Sequence, residues 1–419
     1  MKVLVLGGGG REHAIARALA RDPQVTELHC APGNPGTSVF AENHVVRPTD
    51  PVAVAELAGR LRAELVVIGP EAPLVAGVAD ELRRAGIPCF GPDRAAARLE
   101  GSKSFAKEVM HAAGVPTAAS RTCENSGEVA EALDAFGPPY VVKADGLAAG
   151  KGVVVTHDRE AAERHAADTD RVVVEEYLDG PEVSLFALSD GTSVLPLLPA
   201  QDFKRALDGD AGPNTGGMGA YCPLPWASAE LVDEVMRSVV VPTVAEMARR
   251  DIPFQGVLYT GLALTSAGPR VVEFNARFGD PETQVVLDRL DTPLAGLLMA
   301  TATGALGGVR SVSWRPGASV SVVIAAENYP AEPATGDLIE GVAEANDVAG
   351  AYVLHAGTAL DDDGRLVTAG GRVLNVVGSG ADLTEARTAA YAAVSQIRIR
   401  GAQYRTDIAR AAADGAGPA

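Results

Sequence analysis

Tyr140-Val-Val-Lys143-Ala-Asp-Gly-Leu-Ala-Ala-Gly150-Lys151-Gly-Val-Val-Val155 is the stretch on which the fold turns. Two apolar, β-branched runs flank a loop of glycine and alanine. β-Branched residues suit strands and glycines suit turns, so the stretch reads as a β-hairpin with a glycine-rich tip. It departs from a Walker A loop in two ways. Gly152 rather than Ser or Thr follows Lys151, and a strand pattern rather than a helical one comes next. Lys143 falls at a strand end and Lys151 in the loop. From there both ammonium groups can reach phosphates as point charges, with Gly150 and Gly152 letting the backbone come close. By itself the pattern also fits a solvated hairpin carrying two surface lysines.

On the N-terminal side, strand and helix signals alternate. Strands are expected at Lys2–Leu6, Thr26–Cys30, Leu65–Ile68 and Pro88–Phe90. Helices are expected at Arg11–Arg21, Val52–Arg62, Val75–Ala85 and Ser102–Ala113. This alternation implies a doubly wound parallel sheet, in which ligands sit at the carboxyl ends of the strands. Those ends carry Gly7–Gly10, Pro32–Asn34 and Gly69–Glu71. The run Gly7-Gly-Gly-Gly10-Arg-Glu-His13 opens a helix and suits an anion. It is a poor dinucleotide fingerprint. Glu12 stands at the third glycine position, and the second strand ends in Ala31-Pro32 without an acid for a ribose. A tight turn with no ligand is the alternative.

On the C-terminal side, Val172-Val-Val-Glu175-Glu176-Tyr177-Leu178 is an apolar strand ending in two acids and an aromatic residue. It suits an adenine slot, with Glu182 placed for ribose hydroxyls, and equally suits any half-buried strand. In Arg270-Val-Val-Glu273-Phe-Asn275-Ala-Arg277-Phe-Gly-Asp280-Pro-Glu282, the two-residue period puts Glu273, Asn275 and Arg277 on one face. A carboxylate and an amide oxygen two residues apart suit Mg²⁺, and an adjacent arginine suits a carboxylate. Gln201-Asp202-Phe-Lys204-Arg205 and Gly212-Pro-Asn214-Thr-Gly-Gly-Met-Gly219 complete the polar set. The second has four glycines in eight residues and reads as backbone wrapped round a ligand. Further strands are expected at Gly256–Thr265, Arg270–Asn275, Ser319–Ala325, Tyr352–His355 and Arg372–Val377, with a last helix at Thr384–Ile397.

At 419 residues the chain exceeds one hydrophobic core and calls for several domains. A net charge of −18 argues against nucleic-acid or anionic-membrane binding. No apolar run is long enough to span a bilayer. The four cysteines are scattered, which predicts free thiols in a reducing cytoplasm rather than a zinc or disulfide framework.

These pieces occur in one order. Gly9-Gly10-Arg-Glu-His-Ala14, Val67-Ile-Gly-Pro-Glu-Ala-Pro-Leu74, Leu99-Glu-Gly-Ser-Lys103, the 141–152 loop, Gly212-to-Tyr221, and Glu273-Phe-Asn-Ala-Arg-Phe-Gly-Asp-Pro-Glu-Thr-Gln284 together resemble the phosphoribosylamine–glycine ligase family of ATP-grasp enzymes. The resemblance extends over essentially the whole chain, including His355-Ala-Gly-Thr358 and Gly370-Gly-Arg-Val-Leu374. It implies a Rossmann-like domain over 1–101, an ATP-grasp region over 102–327 with a lid at about 115–190, and a small α+β domain over 328–419. It also implies ATP with Mg²⁺ or Mn²⁺, the substrates glycine and 5-phosphoribosylamine, and a cytoplasmic monomer.

Site residues follow from the same resemblance. Lys107, Lys143, Gly150, Lys151, Gly152, Glu175, Glu176, Tyr177, Leu178 and Glu182 would hold ATP, and Glu273 and Asn275 the metal. Gly9, Gly10, Glu12, Asn34, Glu71, Asp202, Lys204, Asn214, Thr215, Gly216, Gly217, Met218 and Arg277 would contact substrates. Arg277, Lys143, Lys151 and Asp202 would carry the catalysis. The chain departs from the family pattern at Gly8, where Asn is frequent, at Pro181, at Ala409, where Gly is usual, and in a short Val155–Arg171 segment. Alternatives are an ATP-grasp ligase for another purine intermediate, a nucleotide-sensing module without turnover, and a nicotinamide dehydrogenase.

Overall fold

The computed structural model describes residues 1–147 and 152–417. Gly150 and Lys151 lie outside the described residues. The chain opens on a five-stranded parallel sheet in the order Glu42–Asn43, Glu27–Pro32, Lys2–Gly7, Leu65–Ile68, Cys89–Phe90. Val3–Leu6 are fully buried, as a continuous apolar run requires when helices cover both faces of a sheet. The strand order reverses between Lys2–Gly7 and Leu65–Ile68, so the loops after them diverge and leave a crevice.

Helix Pro51–Leu61 shows why these segments are helical. The Asp50 side chain accepts from the Ala53 amide, proline stands in the first turn, and Val54, Leu57 and Ala58 form the buried stripe. The helix expected over Val75–Ala85 is instead two short ones, Glu71–Ala76 and Val78–Arg84. Gly77 between them has φ +88° and breaks the hydrogen-bond ladder.

The hairpin forms as expected, Tyr140–Ala144 against Val153–Thr156, with Lys143 opposite Val153. It belongs to an antiparallel sheet in the order Ser120–Cys123, Val172–Glu175, Tyr140–Ala144, Val153–Thr156. Helices Ser126–Phe136 and Arg159–Ala167 cover this sheet and share a small core with it, built on Leu133, Val142, Ala162 and Val174.

A second antiparallel sheet runs Val194–Pro196, Glu182–Asp190, Gln255–Thr265, Gly268–Asn275. A third runs Gln201–Asp202, Gly219–Cys222, Ala318–Ala325, Arg372–Gly380, Ala351–His355. Ala318–Ala325 falls within 102–327, yet it pairs with Arg372–Gly380 from beyond 328, so both regions contribute to one sheet. Helix Leu383–Val394 packs on that sheet, its start set by Asp382 accepting from the Glu385 amide. Among the described residues no helix is long and apolar enough to cross a membrane.

Candidate active site

The loop ends of the parallel sheet meet the turn after Asn275, through Arg11 and the Phe278 carbonyl, and the end of strand Ala351–His355, through Asn34. Glu12, in the first turn of helix Gly10–Ala20, accepts from the Gly9 amide at 2.7 Å and from Arg11, and is buried. Its side chain occupies the space a Cβ on Gly69 would need, 2.1 Å away, so glycine there lets two strand ends close on one carboxylate. The Asn34 side chain makes four hydrogen bonds within the protein. Its amide donates to the Gly8 and His355 carbonyls, and its oxygen accepts from the Gly36 and Thr37 amides. The Asn34 side chain therefore fixes a loop, leaving the backbone to face the crevice. A Cβ at Gly8 would lie 2.5 Å from the Gly33 carbonyl oxygen, so the loops here close too tightly for a longer residue without backbone movement.

The strand Gly268–Asn275 supplies the centre. It ends at Asn275, so strand periodicity does not extend to Arg277, which sits in the following turn. Arg277 is oriented by other contacts: Glu71 at 3.3 Å, Glu100 at 2.9 Å, the Asn275 side-chain oxygen at 3.2 Å and the Phe278 carbonyl at 3.3 Å. Burial works against its charge, but Glu100, Glu71 and Glu282 outweigh it and hold the guanidinium firmly protonated. Burial raises Glu100 above the usual carboxylate range, with Arg277 opposing. For Glu71 burial is outweighed by Arg277 and Arg11, and its pKa is lowered.

The Glu273 carboxylate accepts no hydrogen bond and joins no ion pair among the described residues. Burial pushes its pKa up, but Lys204, Lys143, Lys103 and Arg277 together hold it below the ordinary range. It is thus a carboxylate in a field of cations, with the Asn275 amide oxygen two residues on. The two hard oxygen donors fit a hard divalent ion, and the surrounding cations suit the phosphates that would accompany it.

Lys143 is buried, pairs with Glu175 at 2.8 Å and donates to the Val272 carbonyl at 2.9 Å. That carbonyl is free because the strand pairing skips Val272 at a bulge. Lys107 also pairs with Glu175, at 3.1 Å, and donates to Thr117 and the Ala118 carbonyl. All three of its protons are thereby engaged, and Lys107 braces Glu175. Glu176 is occupied by the Ala119 amide and Arg270. Tyr177 is exposed and Leu178 half-buried, both just past the end of strand Val172–Glu175. Gly152 is buried beside the hairpin.

Glu182 forms an ion pair with Lys204, next to Asp202. Burial pushes Asp202 up to about 7, against Lys204 and with help from Glu282, Glu182 and Glu273. Lys204 moves well above its usual value, since Glu182 and Asp202 outweigh its burial. Two acids and one lysine share this corner. That shortage of positive charge suits a substrate ammonium.

The 212–219 loop lies over the turn after Asn275. The Thr215 hydroxyl donates to the Lys204 carbonyl and accepts from the Gly217 amide, and the Gly216 amide donates to Tyr329. Asn214 ends a short strand paired with Arg205. Met218 is buried, so its side chain packs inward while its backbone shapes the loop. Arg372 donates to the Gly216 and Asp280 carbonyls at 2.6 Å each, tying loop and turn together.

Three models of one family match the chain in order: phosphoribosylglycinamide synthetase N domain over 1–100, its ATP-grasp (A) domain over 101–283, and its C domain over 319–411. The chain belongs to the phosphoribosylglycinamide synthetase family. A phosphoribosylamine–glycine ligase of Streptomyces coelicolor is 67% identical over 99% of this chain and 100% of its own length. Its counterpart in Mycobacterium leprae is 55% identical over 99% of each. The crystal structure of the Thermotoga maritima phosphoribosylamine–glycine ligase superposes with a TM-score of 0.85 at 34% identity, covering 97% of this chain and 100% of that one.

In this member of the phosphoribosylglycinamide synthetase family, several site residues escape the reading of motifs. Lys103 faces Glu273 and donates to the Gly146 carbonyl. Glu100 also accepts from the Ala276 amide at 2.8 Å. Glu282 is buried and accepts from Ser184. Arg11 donates to the Phe278 carbonyl, joining the glycine loop to the turn. Lys103, Glu100, Arg11, Glu282 and Arg372 all lie inside quoted strings. The signal that could have found them is a charged residue embedded in an otherwise small or apolar motif.

Proposed function

We infer that this chain is a phosphoribosylamine–glycine ligase, an ATP-dependent carbon–nitrogen ligase of purine biosynthesis. It joins glycine to 5-phosphoribosylamine and forms glycinamide ribonucleotide, ADP and phosphate. The observation that carries the reading is the Glu273 carboxylate, without a partner among the described residues and ringed by Lys103, Lys143, Lys204 and Arg277, in a chain matched end to end by that family.

The proposed chemistry has two displacements. A glycine carboxylate oxygen bonds to the γ-phosphorus of ATP and the bond to ADP breaks, leaving glycyl phosphate. The amine nitrogen of phosphoribosylamine then bonds to the glycyl carbon, the carbon–oxygen bond to the phosphate breaks, and phosphate leaves with that oxygen and takes up the proton the amine gives up. Neither step needs an enzyme nucleophile, so catalysis rests on positioning and on fixed charge. Glu273 and Asn275 would hold Mg²⁺ or Mn²⁺, which when bound offsets charge across the phosphates. Lys143 and Lys103 face the transferring phosphoryl group, and Lys151, outside the described residues, is assigned to the same phosphates by its place in the motif. Arg277, clamped by Glu71 and Glu100, steadies the glycine carboxylate. Asp202 holds the glycine ammonium, and Lys204 restrains Glu182 beside it. The Gly9–Gly10 backbone, the Asn34 loop and the 214–218 loop cradle phosphoribosylamine. Glu175, Glu176 and the backbone at Tyr177–Leu178 place the nucleotide, and Glu12 acts by holding the glycine loop in shape. The division at 101 and 328 and a cytoplasmic, monomeric state belong to the same proposal, with four buried free cysteines supporting a reducing compartment.

The test is phosphate release from MgATP and glycine, with and without freshly made phosphoribosylamine. Release that needs both substrates, with glycinamide ribonucleotide formed in step, is expected. Release with neither dependence removes the named substrates. Glu273→Gln should lower kcat by about 10²-fold or more and raise the metal concentration needed. Unchanged turnover at low Mg²⁺ would remove Glu273 from the metal site.

A further inference from the structure

On the far edge of the parallel sheet, away from the ligase site, three metal-ligating side chains converge. His29 lies on strand Glu27–Pro32, and Glu42 is its register partner on the edge strand Glu42–Asn43. His44 follows directly, its amide bonded to the Cys30 carbonyl. His29 Nδ1 and His44 Nε2 are 3.0 Å apart, and Glu42 Oε2 lies 3.7 Å from the first and 3.9 Å from the second. A point equidistant from these three atoms is about 2.1 Å from each, the length of zinc–nitrogen and zinc–carboxylate bonds.

A plain hydrogen bond between the two rings accounts for the 3.0 Å contact but not for the rest. It leaves His29 Nε2 buried and without a partner among the described residues. Glu27 Oε2, held by Lys2 at 2.7 Å, stands 3.9 Å from that nitrogen, and a small side-chain turn would let it accept a hydrogen bond from Nε2–H as well. A metal on Nδ1 fixes the proton on Nε2, and a carboxylate behind a ligating imidazole is the usual partner that orients it.

We propose that His29, Glu42 and His44 form a site for a borderline divalent transition ion of the Zn²⁺ class, with Glu27 supporting His29. Two imidazoles and one carboxylate select such ions over Mg²⁺, which prefers oxygen ligands and waters. The Glu42 side chain is largely exposed, so the remaining coordination position opens to solvent and takes water. The site's place in the fold gives it a consequence. Asn43, between two of the ligands, donates to the Asn34 carbonyl at 2.8 Å and accepts from Thr37. An ion here would pin a two-residue edge strand and, through Asn43, the loop that closes on the ligase site.

The experiment is Zn²⁺ titration of the tag-free full-length chain against a chromophoric chelator, in millimolar Mg²⁺, with Co²⁺ absorption as a second readout. One ion per chain at micromolar affinity or tighter is expected, retained in Glu273→Gln. His44→Ala and Glu42→Gln should each weaken that ion by about a hundredfold, and Glu27→Gln by about tenfold. Glu42→Gln changes an exposed side chain, so its folding is not in question if His44→Ala misfolds. Zn²⁺ should also raise the unfolding midpoint of the wild type but not of Glu42→Gln. Wild-type uptake only at millimolar Zn²⁺, or an ion lost with Glu273→Gln and kept in Glu42→Gln, overturns the proposal.

Discussion

At the scale of single residues, the site is set by charges that do not cancel locally. Asp202 is the clearest case. Its carboxyl is pushed up to about 7 by burial and by neighbouring acids, yet holding an ammonium requires the ionised form. kcat/KM for glycine is therefore expected to fall as pH drops below about 7. A pH profile of Asp202→Asn should lose that limb along with most glycine affinity. Stability runs the other way. A folded-state pKa above the unfolded value favours the fold below about pH 4, and that advantage is lost as pH rises through about 7. Asp202→Asn should therefore gain on the wild type in urea midpoint between those limits. Ala409 is a second case. It has φ +60°, a left-handed conformation that costs an alanine about 1–2 kcal/mol. Ala409→Gly should stabilise the chain by about 0.5–1 kcal/mol once the glycine's extra chain entropy is counted. An unfolding midpoint that falls would show that the buried methyl outweighs the strain.

At the scale of elements, loops do the work that strands make possible. The 212–219 loop approaches the Asp280-Pro281 turn so closely that a Cβ on Gly217 would lie 2.5 Å from a proline ring carbon, and Gly217 has φ +109°. Gly217→Ala meets both obstacles. It is expected to cost about 1–3 kcal/mol and to raise KM for phosphoribosylamine more than for ATP, since the lysine cluster lies on other elements. Steady-state kinetics with each substrate varied would check that split. The hairpin shows the converse. Its strands were legible because β-branched runs and glycines act locally, whereas the helix expected over Val75–Ala85 was cut because one residue, Gly77, took a left-handed turn. Strand periodicity likewise stopped at Asn275, and Arg277 owes its orientation to Glu71 and Glu100 instead.

At the scale of the whole molecule, long-range ion pairs lock distant segments. Arg405 is buried near the C-terminus and donates to Asp407, to Asp210 at 2.6 Å and to the Arg205 carbonyl. It stitches the chain end to the strand next to the 212–219 loop. Arg405→Met should lower unfolding free energy by about 3 kcal/mol, the low end for a broken buried pair, since Asp210 stays hydrated. Chemical denaturation of the full chain would measure it. If that tie also shapes the loop, KM for phosphoribosylamine rises in the same variant while ATP binding holds.

The sequence by itself determined much of the local geometry: the β-branched runs that are strands, where glycine loops cap a parallel sheet, and which motifs carry the family, though not strands such as Ser120–Cys123 and Glu182–Asp190. Hydrogen-bond ladders, side-chain periods and turn preferences act over a few residues, and a one-dimensional reading captures them. Only the tertiary structure decided what each charge does. Lys107 and Lys143 meet on Glu175, Glu71 and Glu100 clamp Arg277, and Asn34 is spent on its own loop. His29 and His44, silent in the sequence, face one acid across adjoining strands. A buried charge must be neutralised by whatever packing brings within a few ångströms, and packing joins residues that are far apart in the chain.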